Sequence, residues 1–202
     1  MTEYTNSDQL ASIITSRLCH DLANPIGAMH NGIELLELSG YPQSPELELV
    51  AASLQNAQAK IGFYRIAFGP DDREAVGLSE LQNLLRERSN DGRCKFYWTQ
   101  NDPGIRPTQK LLLLLALCLE TALPLGGEIQ IDQADGMWRI TAQGERLDYN
   151  PTLWEPLEAK QSAAALDAPL VHFHLAANAI ADRSITFQSN FEENAATLTL
   201  RL

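Results

Sequence analysis

Apolar residues recur every three or four positions along the first third of the chain. The breaker segment SGYPQSP, residues 39–45, ends this pattern, because glycine favours a helix C-terminus and proline cannot continue a helix. Ser44 is placed to cap a second helix that begins at Pro45 and carries its apolar face to Phe68. From Ser7 to about Ser39 the spacing predicts one long amphipathic helix, with core positions at Leu10, Ile14, Leu18, Leu22, Ile26, Met29, Ile33 and Leu36.

The two predicted helices are joined by a short loop, which favours an antiparallel hairpin. A hairpin buries one seam only, whereas both apolar stripes are wide. We therefore expect a second copy of the chain to pair with the first, giving a homodimer built around a four-helix bundle.

The pattern changes after the linker Gly69–Gly77. Segments with helical spacing then alternate with segments in which every second residue is apolar, in the order α-β-α-β-β-α-β-β, with a looser region at residues 144–167. This order predicts a mixed sheet with helices on one face. The predicted fold class is α+β, with a helical-hairpin domain at residues 1–73 and an α/β sandwich domain at residues 74–202.

Composition narrows the function classes. The 202-residue chain carries a net charge of −11, which argues against binding nucleic acid or anionic lipid. Its three cysteines are far apart and form no C-x-x-C pair, so neither a disulfide framework nor a zinc site is expected. The longest apolar run, Leu111–Leu119, has about half of the ~20 residues that span a bilayer. With no signal peptide visible at the N-terminus, we predict a cytoplasmic protein.

One string within the first helix is unusual for a helix built only for stability. HDLANPIG, residues 20–27, places a histidine beside an aspartate and adds a proline and a glycine. At about 100° per residue, His20 points opposite the midpoint of Leu18 and Leu22, so it is expected to face solvent, with Asn24 and Gly27 on the same face.

An exposed imidazole beside a carboxylate has useful chemistry. Asp21 can accept the proton of one ring nitrogen of His20, which leaves the lone pair of the other nitrogen for attack on an electrophile. Pro25 removes a backbone donor to the Asp21 carbonyl and favours a kink, and Gly27 leaves the surface bare for an approaching backbone. A His-Asp pair alone is more typical of a plain helix surface, because such dipeptides are common; the full string is much more specific.

The string HDLANPIG resembles the H-box of histidine kinase dimerisation domains, in which a phosphorylatable histidine is followed by an acid, a leucine and a proline with an apolar neighbour. The longer stretch CHDLANPIGAMHNGIELLE, residues 19–37, resembles the ChpT-type histidine phosphotransferases of bacterial phosphorelays. The resemblance is strong over residues 10–40 and holds in outline beyond residue 75. It implies a helical-hairpin dimer followed by a degenerate histidine-kinase ATPase-like (Bergerat-type) domain.

The resemblance also implies roles for the residues of the string. His20 would carry the phosphoryl group as the catalytic nucleophile, and Asp21 would be its acid–base neighbour. Asn24 matches the polar residue that, in related kinases, helps to position a water for phosphatase activity. Arg17 is a candidate contact for phosphoryl oxygens or an acidic partner pocket, with surface solvation as its alternative, and Gly27 marks where a partner approaches.

Against the same family pattern, the motifs for ATP are missing. Cys118 stands where a magnesium-binding asparagine is needed, and Ala142 and Arg146 occupy the D-x-G-x-G place. His172 and His174 fall where a glycine-rich lid would cradle phosphates. Their local pattern is helical, so residues two apart point to different sides and a structural role is preferred to metal binding. We therefore expect no ATP binding and no cofactor of the protein's own.

These features together predict a histidine phosphotransferase of a two-component phosphorelay. The expected partners are response-regulator receivers, including the receiver of a hybrid histidine kinase, and these receivers would supply the Mg²⁺. Two rival functions are a non-catalytic scaffold or inhibitor that binds a kinase or regulator, and a divergent histidine kinase. The intact H-box favours the phosphotransferase over the scaffold, and the missing nucleotide motifs favour it over the kinase.

Overall fold

The computed structural model describes residues 3–90, 92–161 and 167–202. The chain divides into two compact units, Met1–Pro70 and Asp71–Leu202. The sequence pattern placed this boundary after residue 73, in the same loop. Among the described residues, no helix is both long enough and apolar enough to cross a membrane.

The first unit is the predicted helical hairpin. Helix α1 spans Glu3–Leu38 and helix α2 spans Pro45–Ala67. Gly40 ends α1 with φ of +77°, and the amide of Tyr41 donates to the carbonyl of Leu36 at 3.1 Å, as in a left-handed helix C-cap. The Ser44 hydroxyl accepts from the amide of Leu47 at 3.3 Å, which confirms the predicted N-cap of α2.

Helix α1 buries only part of its predicted core stripe against α2, since Ile26 and Ile33 lie in the seam and the other predicted positions are exposed. Cys19 is buried, and Ile26, His30 and Ile33 are half-buried where α1 packs along α2. A row that we call the open stripe is largely exposed; it consists of Ile14, Leu18, Leu22, Met29 and Leu36. The two rows lie about 100° apart on the helix, so α1 has an apolar face that α2 does not cover.

The second unit contains a mixed sheet, as predicted. Its strands are β1 (Cys94–Trp98), β2 (Gly127–Ala134), β3 (Met137–Gly144), β4 (Thr186–Phe191) and β5 (Ala195–Arg201). In the described part of the chain they form one sheet in the order β1-β2-β3-β5-β4, with β1 and β2 parallel and all other neighbours antiparallel. Asp135 and Gly136 join β2 to β3 with positive φ at both residues, which suits a tight hairpin.

One face of this sheet forms the core of the unit. Alternate residues of β1, β3 and β5 are buried, and Ile131, Ile140 and Leu198 follow one another across three neighbouring strands. Helix α4, which spans Arg106–Thr121, packs on β2 and β3 and is buried along nearly its whole length. The other helices of the unit are α3 (Leu78–Ser89), α5 (Pro151–Ala159) and α6 (Val171–Asp182), with a short 3₁₀ turn at Ala168–Leu170.

Helix α5 corrects the prediction of a looser region at residues 144–167. The Asn150 side chain caps α5 by accepting from the amide of Thr152 at 3.1 Å. The helix buries Leu153, Trp154 and Leu157 against the unit, and Trp154 stacks edge-on to Phe173 of α6. Tertiary burial thus sustains a nine-residue helix with an internal proline. Residues 162–166 of the predicted looser region lie outside the described residues.

Candidate functional site

His20 lies in the middle of α1 and faces solvent. Its side chain is 70% exposed, and it points roughly 160° away from Leu18 and Leu22 of the open stripe. His20 Nδ1 is 3.2 Å from Asp21 Oδ1. The predicted pair of an accessible imidazole and an adjacent carboxylate is therefore formed in the structure.

Asp21 connects His20 to Arg17. Arg17 Nε donates to Asp21 Oδ2 at 2.7 Å, while Oδ1 of the same carboxylate faces His20. The hydrogen bond from Arg17, and after it the one from His20, lowers the pKa of Asp21, so the carboxyl group is ionised at neutral pH.

The charge state of Asp21 determines which nitrogen of His20 can react. An ionised carboxylate only accepts hydrogen bonds, so its contact with a neutral imidazole requires the proton on Nδ1. The lone pair then resides on Nε2. The site consequently presents a nucleophilic nitrogen to solvent and a negative charge behind the ring, where positive charge develops on attack.

Asn24 and Gly27 share the exposed face of His20, one and two turns further along α1. Asn24 is exposed, and a Cβ added at Gly27 would meet nothing within 4 Å outside its own helix. Helix α1 remains helical through Pro25. The structure thus brings Asp21 into contact with both Arg17 and His20, and places Asn24, which is exposed, and Gly27, which is half-buried, further along the same face.

The contact between Arg17 and Asp21 was missed by the sequence interpretation, which assigned Arg17 to the partner. The signal was present, because opposite charges four residues apart on a helix lie on neighbouring turns. Arg17 is 75% exposed, so its two Nη groups still face solvent.

The residues at the nucleotide-motif positions have structural surroundings. Cys118 is fully buried in α4, and burial raises the pKa of its thiol well above the usual value. Ala142 is buried within β3, between Ile129 of β2 and Ala196 of β5. Arg146 pairs with Asp148 at 2.6 Å on the surface.

His172 and His174 both lie on α6 and have different neighbours. His172 is buried with Nε2 3.1 Å from Thr121 Oγ1, and that hydroxyl donates to the Leu117 carbonyl. His174 Nε2 is 3.0 Å from the side-chain amide of Asn178. Within the ranges that the structure describes, no group of three or more His, Cys, Asp or Glu side chains is arranged to hold a metal ion.

Burial of His172 predicts a pH-dependent stability. Desolvation lowers the pKa of His172 from 6.5 to about 4. Between these pH values His172 is protonated in the unfolded chain and neutral in the folded chain. The free energy of unfolding should therefore fall as pH drops from about 6.5 to about 4, with a slope of up to ~1.4 kcal/mol per pH unit from this group. Urea unfolding of the wild type and His172→Gln at several pH values measures it. The variant should show a flatter curve in this window; identical slopes would contradict the assignment.

Comparison with known proteins identifies the family. The model for the histidine phosphotransferase C-terminal domain matches residues 78–195, more than half of the chain. The protein phosphotransferase ChpT of Brucella abortus (strain 2308) is 32% identical over an alignment of 169 residues that covers 80% of this chain and 78% of that protein. The chain belongs to the histidine phosphotransferase family.

A solved structure supports the fold of this histidine phosphotransferase family member over its length. A bacterial phosphotransferase determined at 1.7 Å superposes with a TM-score of 0.65 and 24% identity, covering 99% of this chain and 97% of the other. The family-model match lies within the second unit, whereas His20 lies on α1 of the first. The family and the phosphotransferase class therefore rest on these comparisons.

Proposed function

We propose that the protein is a phosphorelay histidine phosphotransferase in which His20 accepts a phosphoryl group from the aspartate of one receiver domain and passes it to another. The observation that carries this proposal is the contact of Asp21 Oδ1 with His20 Nδ1 at 3.2 Å, which directs the Nε2 lone pair to solvent. The side chain is 70% exposed, so the phosphoryl group of a docked protein can reach it.

The transfer is an in-line displacement at phosphorus. The Nε2 lone pair forms the N–P bond as the bond between phosphorus and the receiver's carboxylate oxygen breaks, and the carboxylate leaves with that electron pair. Nδ1 keeps its proton, and the positive charge on the ring faces the ionised Asp21. Attack by a second receiver's aspartate reverses these steps. The receiver supplies a divalent cation that offsets charge on the phosphoryl oxygens.

The rest of the exposed face suits a docking partner. The Nη groups of Arg17 can donate to phosphoryl oxygens or to the acidic pocket of a receiver. Gly27 allows close backbone approach, because nothing lies within 4 Å of its missing Cβ. Asn24 is assigned the minor role of tuning hydrolysis of the phosphohistidine. The proposal of a receiver partner also implies a cytoplasmic location for the protein.

The open stripe supports assembly as a homodimer. Its members recur at intervals of four and seven residues, so they form one continuous apolar row about 100° from the seam with α2. In a four-helix bundle each helix contacts two neighbours, and two apolar rows at this separation fit that arrangement. His20 points away from both rows and stays accessible in such a bundle.

The second unit is proposed to lack ATP binding. The side chains of Cys118 and Ala142 are buried in the core, and neither type offers an oxygen to magnesium or to adenine. His172 is also buried, on α6, where bare backbone would be needed to wrap phosphates. We assign this unit a role as fold and docking surface, and expect ATP with Mg²⁺ to leave its thermal unfolding midpoint unchanged.

Phosphotransfer from a labelled receiver tests the proposal. The purified protein is incubated with ³²P-phosphorylated receivers of its genome, or with ATP alone, and the label is assayed for acid lability and mapped by peptide. We expect acid-labile label on the peptide containing His20 from at least one receiver and none from ATP. Label from ATP alone would show an autokinase; binding of receivers with no label from any of them would favour the scaffold.

A further inference from the structure

The carboxylate of Asp21 is engaged on both sides. Oδ2 accepts from Arg17 Nε at 2.7 Å, and Oδ1 faces His20 Nδ1 at 3.2 Å. The three side chains lie on the exposed face of α1, and the Asp21 side chain is 46% exposed. The contact between histidine and aspartate is therefore not fixed by burial, so something else has to hold the carboxylate.

Helix geometry alone does not hold it there. Adjacent residues point about 100° apart around a helix, so side chains at i and i+1 do not face each other. Arg17 projects between them, roughly 60° from His20 and 40° from Asp21. The hydrogen bond from Arg17 to Oδ2 therefore turns the Asp21 carboxylate towards the imidazole of His20. An aspartate without this contact has a broad terminal torsion and can turn into water.

We propose that Arg17 is a positioning residue that acts through Asp21 to hold His20 in the Nδ1–H tautomer. The proposal rests on the proposed function, since that tautomer puts the attacking lone pair on Nε2. It adds to the role of Arg17 at the partner surface, because Nε serves Asp21 while the Nη groups face outwards. The fall in the pKa of Asp21, with Arg17 as the main cause, agrees with this arrangement.

Two substitutions separate positioning from partner contact. Arg17→Gln removes the charge, whereas Arg17→Lys keeps a cation that can pair with an acid four residues on. A lysine is a poor substitute where a guanidinium binds phosphoryl oxygens in a two-pronged manner. A positioning role therefore predicts that Arg17→Lys retains the Nδ1–H tautomer of His20, whereas Arg17→Gln loses it. Arg17 is 75% exposed, so neither change should affect folding.

The tautomer itself is the decisive measurement. Ring ¹⁵N chemical shifts of histidine-labelled, unphosphorylated full-length protein are read at the alkaline end of a pH series, where imidazole is neutral. The chain has four histidines, so the His20 signal is assigned by its loss in His20→Gln. Glu37→Gln on the same helix is the matched control, because it removes an exposed charge far from the site.

We expect the Nδ1–H form to dominate in the wild type and its ratio to the Nε2–H form to fall about two- to fivefold in Arg17→Gln. Arg17→Lys should retain most of the wild-type ratio, and the rate of phosphoryl acceptance should follow the same order. An unchanged ratio in Arg17→Gln would overturn the proposal, even if transfer slowed. The tautomer ratio is measured on unphosphorylated protein and does not depend on phosphoryl transfer. Failure of His20 to accept a phosphoryl group would therefore refute the proposed function without affecting this test.

Discussion

His20→Gln is expected to abolish phosphoryl acceptance, with a loss of at least about a thousandfold. The amide nitrogen of glutamine has no basic lone pair and cannot form the N–P bond. His20 is 70% exposed and glutamine is a good helix former, so the variant should fold as the wild type does. The measurement is the initial rate of label transfer from a phosphorylated receiver, with circular dichroism as the folding check.

His30→Gln is the matched control for this result. His30 lies on the same helix, beside Glu34 at 3.5 Å, but its side chain is only 24% exposed and faces the seam with α2. It should accept no phosphoryl group, so the variant should transfer at nearly the wild-type rate. Acid-labile label that persists in His20→Gln and disappears in His30→Gln would show that His30 is the nucleophile and would contradict the role proposed for His20.

Elements set by local rules could be predicted from the sequence. The N-cap at Ser44 and the break at Gly40 depend on chemistry within one or two turns, and both are present. The β2–β3 hairpin was predictable for the same reason, since apolar alternation and an Asp-Gly turn specify it locally.

Elements stabilised by distant contacts could not be predicted in this way. Helix α5 is short and contains Pro156, so its local signal is weak; burial of Trp154 against Phe173 sustains it. The seam on α1 was predicted only in part, at Ile26 and Ile33, because apolar spacing marks every apolar face alike. In the structure Cys19 is buried, whereas Leu18 beside it is 57% exposed.

Part of the candidate site could be predicted from the sequence. His20 and Asp21 are adjacent in the chain, and the helical pattern alone placed the histidine on the exposed face. Which way the Asp21 carboxylate turns depends on a side-chain rotamer, and a pattern of residue types does not specify rotamers. The contact between Arg17 and Asp21 therefore could not be predicted from residue types, although their spacing of four residues made it possible.

Leu18→Glu is expected to convert the proposed homodimer to a monomer. Leu18 is a member of the open stripe, which leaves a row of large apolar side chains exposed in the single chain. A carboxylate in the buried interface costs several kcal/mol, and two-fold symmetry introduces it twice, so we expect the dimer Kd to rise at least about a hundredfold. Light scattering should show the mass fall from twice the 22.3 kDa of the chain to that value.

Ile13→Glu is the control that ties this effect to the open stripe. Ile13 is as exposed as Leu18, at 52% against 57%, and lies on the same helix. It projects about 140° away from Leu18, on the side of His20, so its change to glutamate should leave the mass at the dimer value. Dimers that survive Leu18→Glu would mean that α1 does not pair through this row. A wild type that is already monomeric at micromolar concentration would refute the bundle itself, because the open stripe would then face water.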